Sequence, residues 1–204
     1  MTTVFIAGSM TIKNIDHKVR ERIANVLELN YDVVVGDADG VDVSIQRLLF
    51  EYGAKKTTVY CAGERPRNNV ANWPVHCVKT YHSPGSRAYF TAKDIEMAKD
   101  ADYGLMIWDA KSPGTLSNVI ELLDRKKRAL VFVNKEKEFT KVIDTSGLEK
   151  LIDCMSDHAK TKADEKIKLM ERLEALKSRE RQAEILGRSA ASGPVEDALT
   201  PAPM

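Results

Sequence analysis

The chain has 204 residues, with 31 Lys and Arg against 30 Asp and Glu, a net charge of +1, and 43% hydrophobic against 30% charged residues. That length fits one domain plus an appendage, and the near-zero charge argues against general nucleic-acid binding, since a protein that coats a polyanion would be markedly basic. No apolar run approaches the roughly 18 residues of a membrane span, and Met1-Thr-Thr-Val4 does not begin a signal peptide, so no membrane partner is expected.

The first two-thirds alternates short apolar runs with amphipathic segments. Val4–Ala7 reads as a strand ending in glycine, and Asp16–Leu29 as a helix with Val19, Ile23 and Val26 on one face. Asp32–Val35 is a second β-branched strand, followed by a helix over Val41–Tyr52. Thr57–Cys61 is a third strand, Glu64–Pro74 a Pro/Asn-rich loop, and Val75–Tyr81 an edge-like strand. A helix over Arg87–Lys99, a strand over Tyr103–Trp108, a helix over Thr115–Lys126 and a strand over Ala129–Val133 complete the pattern. Apolar strands alternating with helices predict a parallel sheet covered on both faces. The fold class is therefore α/β, a Rossmann-like three-layer, doubly wound and mainly parallel sheet with a helical C-terminal extension.

The boundaries fall at 1–143 for the ligand-binding domain, 144–187 for the charged extension and 188–204 for a disordered tail. Lys135–Lys141 reads as a charged turn or hairpin, Gly147–His158 as a short helix, and Thr161–Leu186 as a long helix with Ile167, Met170, Leu173 and Leu176 as its apolar stripe and Leu169 adding to it. The residues from 188 onward are rich in Ala, Ser, Gly and Pro. Three scattered cysteines, Cys61, Cys77 and Cys154, suit neither a disulfide framework nor a zinc knuckle and fit a cytoplasmic setting.

Doubly wound sheets bind ligands at the carboxyl ends of their strands, beside the switch point. In the first such loop, Gly8 permits close backbone approach, Ser9 can donate to a phosphate or ribose, and Met10 follows. The second loop runs Gly36-Asp37-Ala38-Asp39-Gly40-Val41-Asp42. Asp37 and Asp39 are candidates for ribose hydroxyls, while Asp42 either starts the next helix or joins the ligand. The loop is too short for an EF-hand and lacks its terminal glutamate, so no metal is expected. In the third, Arg65 and Arg67 are candidate phosphate clamps, and Asn68 and Asn69 could read a base edge. Trp73 either stacks on a base or plugs the sheet edge. Arg87 opens a helix whose dipole it opposes, as a ligand-clamping arginine would. His82 is a surface residue or an acid–base group. The loop after Trp108 holds Asp109, Ser112, Pro113, Gly114 and Thr115, with Ser112 as helix cap and free N–H groups forming an anion site.

Ala7-Gly8-Ser9, Gly36 to Asp42, Pro66-Arg67-Asn68-Asn69 and Ser112-Pro113-Gly114-Thr115 together resemble the SLOG superfamily of Rossmann-like nucleotide-binding domains. The resemblance spans about residues 1–135 and is nearest the branch of small bacterial and phage proteins related to YspA and YpsA. The superfamily also takes in the lonely-guy phosphoribohydrolases, the DprA fold and nucleotide-sensing domains of antiphage systems; nucleoside deoxyribosyltransferases are similar in layout. The resemblance implies a small nucleotide-like ligand, no resident cofactor, and self-association as a homodimer or higher homo-oligomer. The enzymes of this group carry Gly-Thr-x-x-Glu, with the glutamate working at the sugar C1′. Here Asn118 stands at that position, and an amide is neither base nor nucleophile. Glu121, one turn further, is the substitute if the pocket is deeper; Asp37, Asp39 and Asp109 are others.

Three functions follow. The first is a nucleotide-binding sensor or regulator. The second is an N-glycosidic hydrolase or transferase acting on a nucleoside or nucleotide. The third is an assembly protein working through its C-terminal helix.

Overall fold

The computed structural model describes residues 1–191, with side chains through residue 186. Seven strands form one sheet: β1 (Thr3–Gly8), β2 (Asp32–Gly36), β3 (Thr57–Ala62), β4 (Val75–Val78), β5 (Tyr103–Trp108), β6 (Arg128–Val133) and β7 (Glu138–Val142). Their order is β4-β3-β2-β1-β5-β6-β7; every pairing is parallel except the β6–β7 hairpin. The helices are α1 (His17–Glu28), α2 (Val41–Glu51), α3 (Arg87–Asp100), α4 (Pro113–Asp124), α5 (Thr145–Asp153), α6 (Asp157–Ile167) and α7 (Leu169–Ala191). The expected Rossmann-like α/β fold is the observed one.

Strand periodicity divides the core into two layers. Val4, Ile6, Val33, Val35, Leu105 and Ile107 face one way and bury against α1 and α2 through Val19, Ile23, Val41 and Ile45. Phe5, Val34, Met106 and Trp108 face the other way, against α3 and α4. The chain winds outward from β1 through β2 and β3 to β4. Then α3 returns it across the sheet to β5, on the far side of β1. The switch point thus lies between β1 and β5.

The extension shares the core of the second layer. Leu148 and Leu151 of α5, Ala159 and Ala163 of α6, and Leu169, Leu173 and Leu176 of α7 are buried in the same cluster as Val119, Ile120 and Leu123 of α4. Burying a large aliphatic side chain stabilises by about 1.5–3 kcal/mol, so this contact fixes the extension on the domain. The expected helix over Thr161–Leu186 is broken in two: Lys168 adopts the left-handed conformation (φ 52°, ψ 51°) and ends α6. The break rotates the stripe, so Leu169 stays in it as expected while Met170 leaves it, 51% exposed. The inward face of α7 is taken up inside its own chain through Leu169, Leu173 and Leu176, while Ile185 and Leu186 further along stay exposed. That helix continues through residue 191, into the stretch expected as tail; residues 192–204 lie outside the described residues. No helix among the described residues is long and apolar enough to cross a membrane.

Candidate functional site

A cavity of about 450 Å³ opens at the carboxyl ends of β1 and β5. Gly8 and Met10 form its wall on the β1 side, and Asp42 and Arg67 come from the loops after β2 and β3. Helix α3 adds Arg87, Phe90, Lys93 and Asp94, while α4 presents Ser112, Pro113, Gly114, Thr115 and Asn118. Lys166 of α6 reaches the rim, so the extension contributes to the site. Gly8 is needed for close approach: a Cβ there would overlap the Ile107 carbonyl oxygen of the neighbouring strand.

The amino end of α4 is built from Asp109 rather than from Ser112. The Ser112 hydroxyl makes no cap bond. Instead Asp109 accepts the backbone N–H groups of Lys111 (2.9 Å) and Ser112 (2.7 Å), and the Thr11 hydroxyl (2.8 Å). Burial opposes the Asp109 charge, but these donors hold its carboxyl below the ordinary value. Pro113, at the first helical position, has no N–H to satisfy. The first turn bond is Leu116 N–H to Ser112 O at 3.4 Å, leaving the N–H groups of Gly114 and Thr115 free beside the cavity. Asn118, one turn along, is only 6% exposed, and its amide meets no partner among the described residues.

Several residues expected at the ligand instead hold the loops to one another. Ser9 is fully buried; its Oγ accepts the Asp109 N–H (3.1 Å) and lies 3.2 Å from Thr115 Oγ1. Asp37 is clamped by Arg67 through Nε (3.1 Å), Nη2 (2.7 Å) and the backbone N–H (3.0 Å). Burial raises the Asp37 carboxyl, yet Arg67 and Lys93 outweigh it and hold it below the usual range. Asn68 donates to Asp37 O and to the exposed Asp39. Gly36 and Gly40 shape this loop without lining the cavity. Asn69 pairs with the backbone of Trp73, whose indole is buried against α1 and α2 and donates to Ala54 O. Trp73 is thus a plug and not a stacking platform. Arg65 and His82 are exposed and lie away from the cavity. Arg87 lines it and has no ion pair among the described residues.

Glu121 is turned away from the cavity. Its two oxygens accept from Arg172 (2.6 Å) and Arg125 (2.7 Å), and Ser117 accepts from Arg172 as well (2.9 Å), which ties α4 to α7. Glu121 therefore docks the extension and is not on the lining of this cavity. Glu121→Gln should lower folding stability by about 1–2 kcal/mol, as weakened charged hydrogen bonds do, and leave ligand affinity within twofold; denaturant titration and calorimetry read the two separately.

Sequence reasoning missed the charged centre of the cavity. Lys93 is 4% exposed and donates to Asp94 (2.8 Å), with Asp42 at 3.7 Å and Asp37 at 3.9 Å. Burial disfavours its charge, but the three carboxylates reverse the balance and raise its pKa. Burial pushes Asp42 up to about 6, with Lys93 pulling the other way. Asp42 makes no side-chain cap for α2, which starts at Gly40; it accepts the Ala38 N–H (3.2 Å) and lines the cavity. The available signal was spacing: Lys93 precedes the buried Met97 by one turn and so shares its inward face. Phe90 carries the Arg67 guanidinium at 4.6 Å from its ring centre. No group of three His, Cys, Asp or Glu among the described residues is placed to hold a metal ion.

The arrangement is that of a Rossmann-like α/β protein with a polar switch-point cavity. No family model and no curated protein sequence matches the chain. Among solved structures it is similar to DNA processing protein A from Helicobacter pylori, with a TM-score of 0.49 and 15% identity over 82% of this chain and 80% of that one. That structure is described for its mode of binding single-stranded DNA. The expectation that nucleic-acid partners are absent, which rested on the net charge, is withdrawn. A sum over the whole chain says nothing of the field in one cleft: here Asp37, Asp42 and Asp94 pair with Arg67 and Lys93, while Arg87 and Lys166 have no ion pair among the described residues.

Proposed function

We propose that the cavity binds a nucleotide and that the protein acts as a sensor or regulator. The observation that carries this reading is Asn118, a largely enclosed residue on the cavity wall whose amide makes no hydrogen bond among the described residues, one turn behind the free N–H groups of Gly114 and Thr115. Facing the cavity, this amide can donate to and accept from a ligand hydroxyl or base edge. The helix end and Arg87 favour a phosphate, and Phe90 offers an aromatic face to a base. The carboxylate that family enzymes use at the Asn118 position is replaced by a group unable to take a proton or attack carbon.

The test is thermal stabilisation by a panel of 5′-nucleoside monophosphates. At least one should raise the melting temperature, and Asn118→Ala should weaken it tenfold or more, about 1.4 kcal/mol. No stabilisation by any nucleotide would overturn the reading.

The glycosidase alternative keeps one supporting observation. Asp42, with its carboxyl raised to about 6, lines the same cavity and can exchange a proton near neutrality. Free base released from a nucleoside monophosphate, and lost in Asp42→Asn, would establish turnover in place of sensing.

A further inference from the structure

A second cavity of about 420 Å³ adjoins the first and shares Met10, Ser112, Pro113 and Lys166 with it. One wall is the β5–α4 loop, with Asp109 and Lys111; the other is α6, with Ser156, His158, Lys162 and Lys166. The spacing 158, 162, 166 places these three side chains in a row on one face of the helix.

The charge balance of this cavity is one-sided. The ammonium groups of Lys111, Lys162 and Lys166, all on exposed residues, have no hydrogen bond or ion pair among the described residues. Like charges one helical turn apart, such as Lys162 and Lys166, repel, and Lys111 stands on the opposite wall. The one carboxylate present, Asp109, has both oxygens occupied by Lys111 N–H, Ser112 N–H and the Thr11 hydroxyl. The amino ends of α4 and α6 both border the space, and Ser156 caps α6 by accepting the Ala159 N–H, so the helix fields add to the positive side. The acidic residues of α6 are used elsewhere or lie off the lining face: Asp164 accepts the Met170 N–H, and Asp157 and Glu165 are exposed outside the lining. A cleft carrying three unpaired ammonium groups is arranged for an anion.

Resting on the nucleotide reading of the first cavity, we infer that the ligand carries a second phosphate, held among Lys111, Lys162 and Lys166, while its first sits at the amino end of α4. The class is a small nucleotide phosphorylated at two positions, such as a 5′-phosphorylated dinucleotide. Each cavity is within the range of small-molecule pockets, and Lys166, on both linings, bridges the two. The C-terminal extension is then part of the specificity apparatus: without α6, the switch-point cavity would accommodate one phosphate and distinguish poorly between mono- and bisphosphorylated ligands.

The experiment compares the full chain with the double variant Lys111→Ala/Lys162→Ala, whose altered residues line only the second cavity. Calorimetry is run with nucleoside monophosphates, matching 5′-phosphorylated dinucleotides, inorganic tripolyphosphate and a single-stranded oligothymidylate. The dinucleotide should bind the wild type at least tenfold more tightly than the monophosphate. The variant should lose that advantage and keep monophosphate affinity within twofold. Equal weakening of both ligands, or of neither, would overturn the inference. So would oligothymidylate binding that falls in the variant while dinucleotide binding does not, since the groove would then serve a polymer. If no nucleotide binds the wild type, the reading of the first cavity fails. The tripolyphosphate arm then decides the second cavity: affinity reduced tenfold in the variant keeps its anion site, and unchanged affinity removes it.

Discussion

Lys93→Met should destabilise the fold by about 3–5 kcal/mol, the cost of removing one partner from a buried ionic group. Methionine keeps the length and apolar stem of lysine, so the fit of this buried position of α3 is nearly preserved. What it removes is the ammonium among Asp94, Asp42 and Asp37. Arg67 still serves Asp37, but Asp42 is left with only the Ala38 N–H. The deficit should be smaller at pH 5 than at pH 8. Burial already pushes Asp42 to about 6 in the wild type, and loss of the ammonium raises it further. A carboxyl whose folded pKa is raised binds its proton more tightly in the folded state, so its contribution is present at low pH and lost as pH rises through that value. Urea titrations at the two pH values check both statements. A deficit under about 1 kcal/mol, or one that grows on acidification, would show that the three carboxylates do not depend on Lys93.

Gly40→Ala should cost about 2–4 kcal/mol, from two independent sources. Gly40 begins α2 at φ 82°, ψ −122°, a conformation that residues with a Cβ scarcely adopt; forcing one there costs about 1–3 kcal/mol. In addition, the new Cβ would overlap the Met10 carbonyl oxygen and stand 2.7 Å from the Met10 C and Cα atoms. Those atoms belong to backbone, so relief requires moving the β1–α1 loop, and with it the Met10 wall shared by both cavities. Ligand affinity should therefore fall along with stability. Chemical denaturation and calorimetry on the same preparation test this; a loss of stability with unchanged affinity would mean that the loop yields without disturbing the wall.

Much of the sheet was legible because each central strand is a short apolar run closed by Gly, Asp or Asn, and a strand buried on both faces has to be apolar throughout. The break at Lys168 was not legible. No glycine or proline marks it, and the stripe through Met170 is as regular as the true one through Leu169, Leu173 and Leu176. The site was legible as a set of loops but less so as a set of roles. Ser9, Asp37 and Asp109 each stand in a loop beside a cavity, where a polar side chain can serve a ligand or another loop equally well. Their partners, Thr115, Arg67 and Thr11, come from other segments, 106, 30 and 98 residues away in sequence, which no local pattern reveals. Lys93 and Lys166 escaped for a different reason: a lysine in a charged helix reads as solvated, and only the packing of α3 and α6 turns Lys93 inward and sets Lys166 at the cavity rim.

The strand order has a consequence for how such a site can be divided and rebuilt. Residues 1–80 hold the contiguous strands β1 to β4 and residues 101–142 the contiguous strands β5 to β7, with α3 as the link between the halves. Their one strand-to-strand joint is β1 against β5, and the cavity lies across that joint. Neither half owns a complete binding surface, so the site is a property of their union. A chain recombined within the exposed turn before α3 would inherit each half-sheet whole and would still have to recreate the site from residues that had never met.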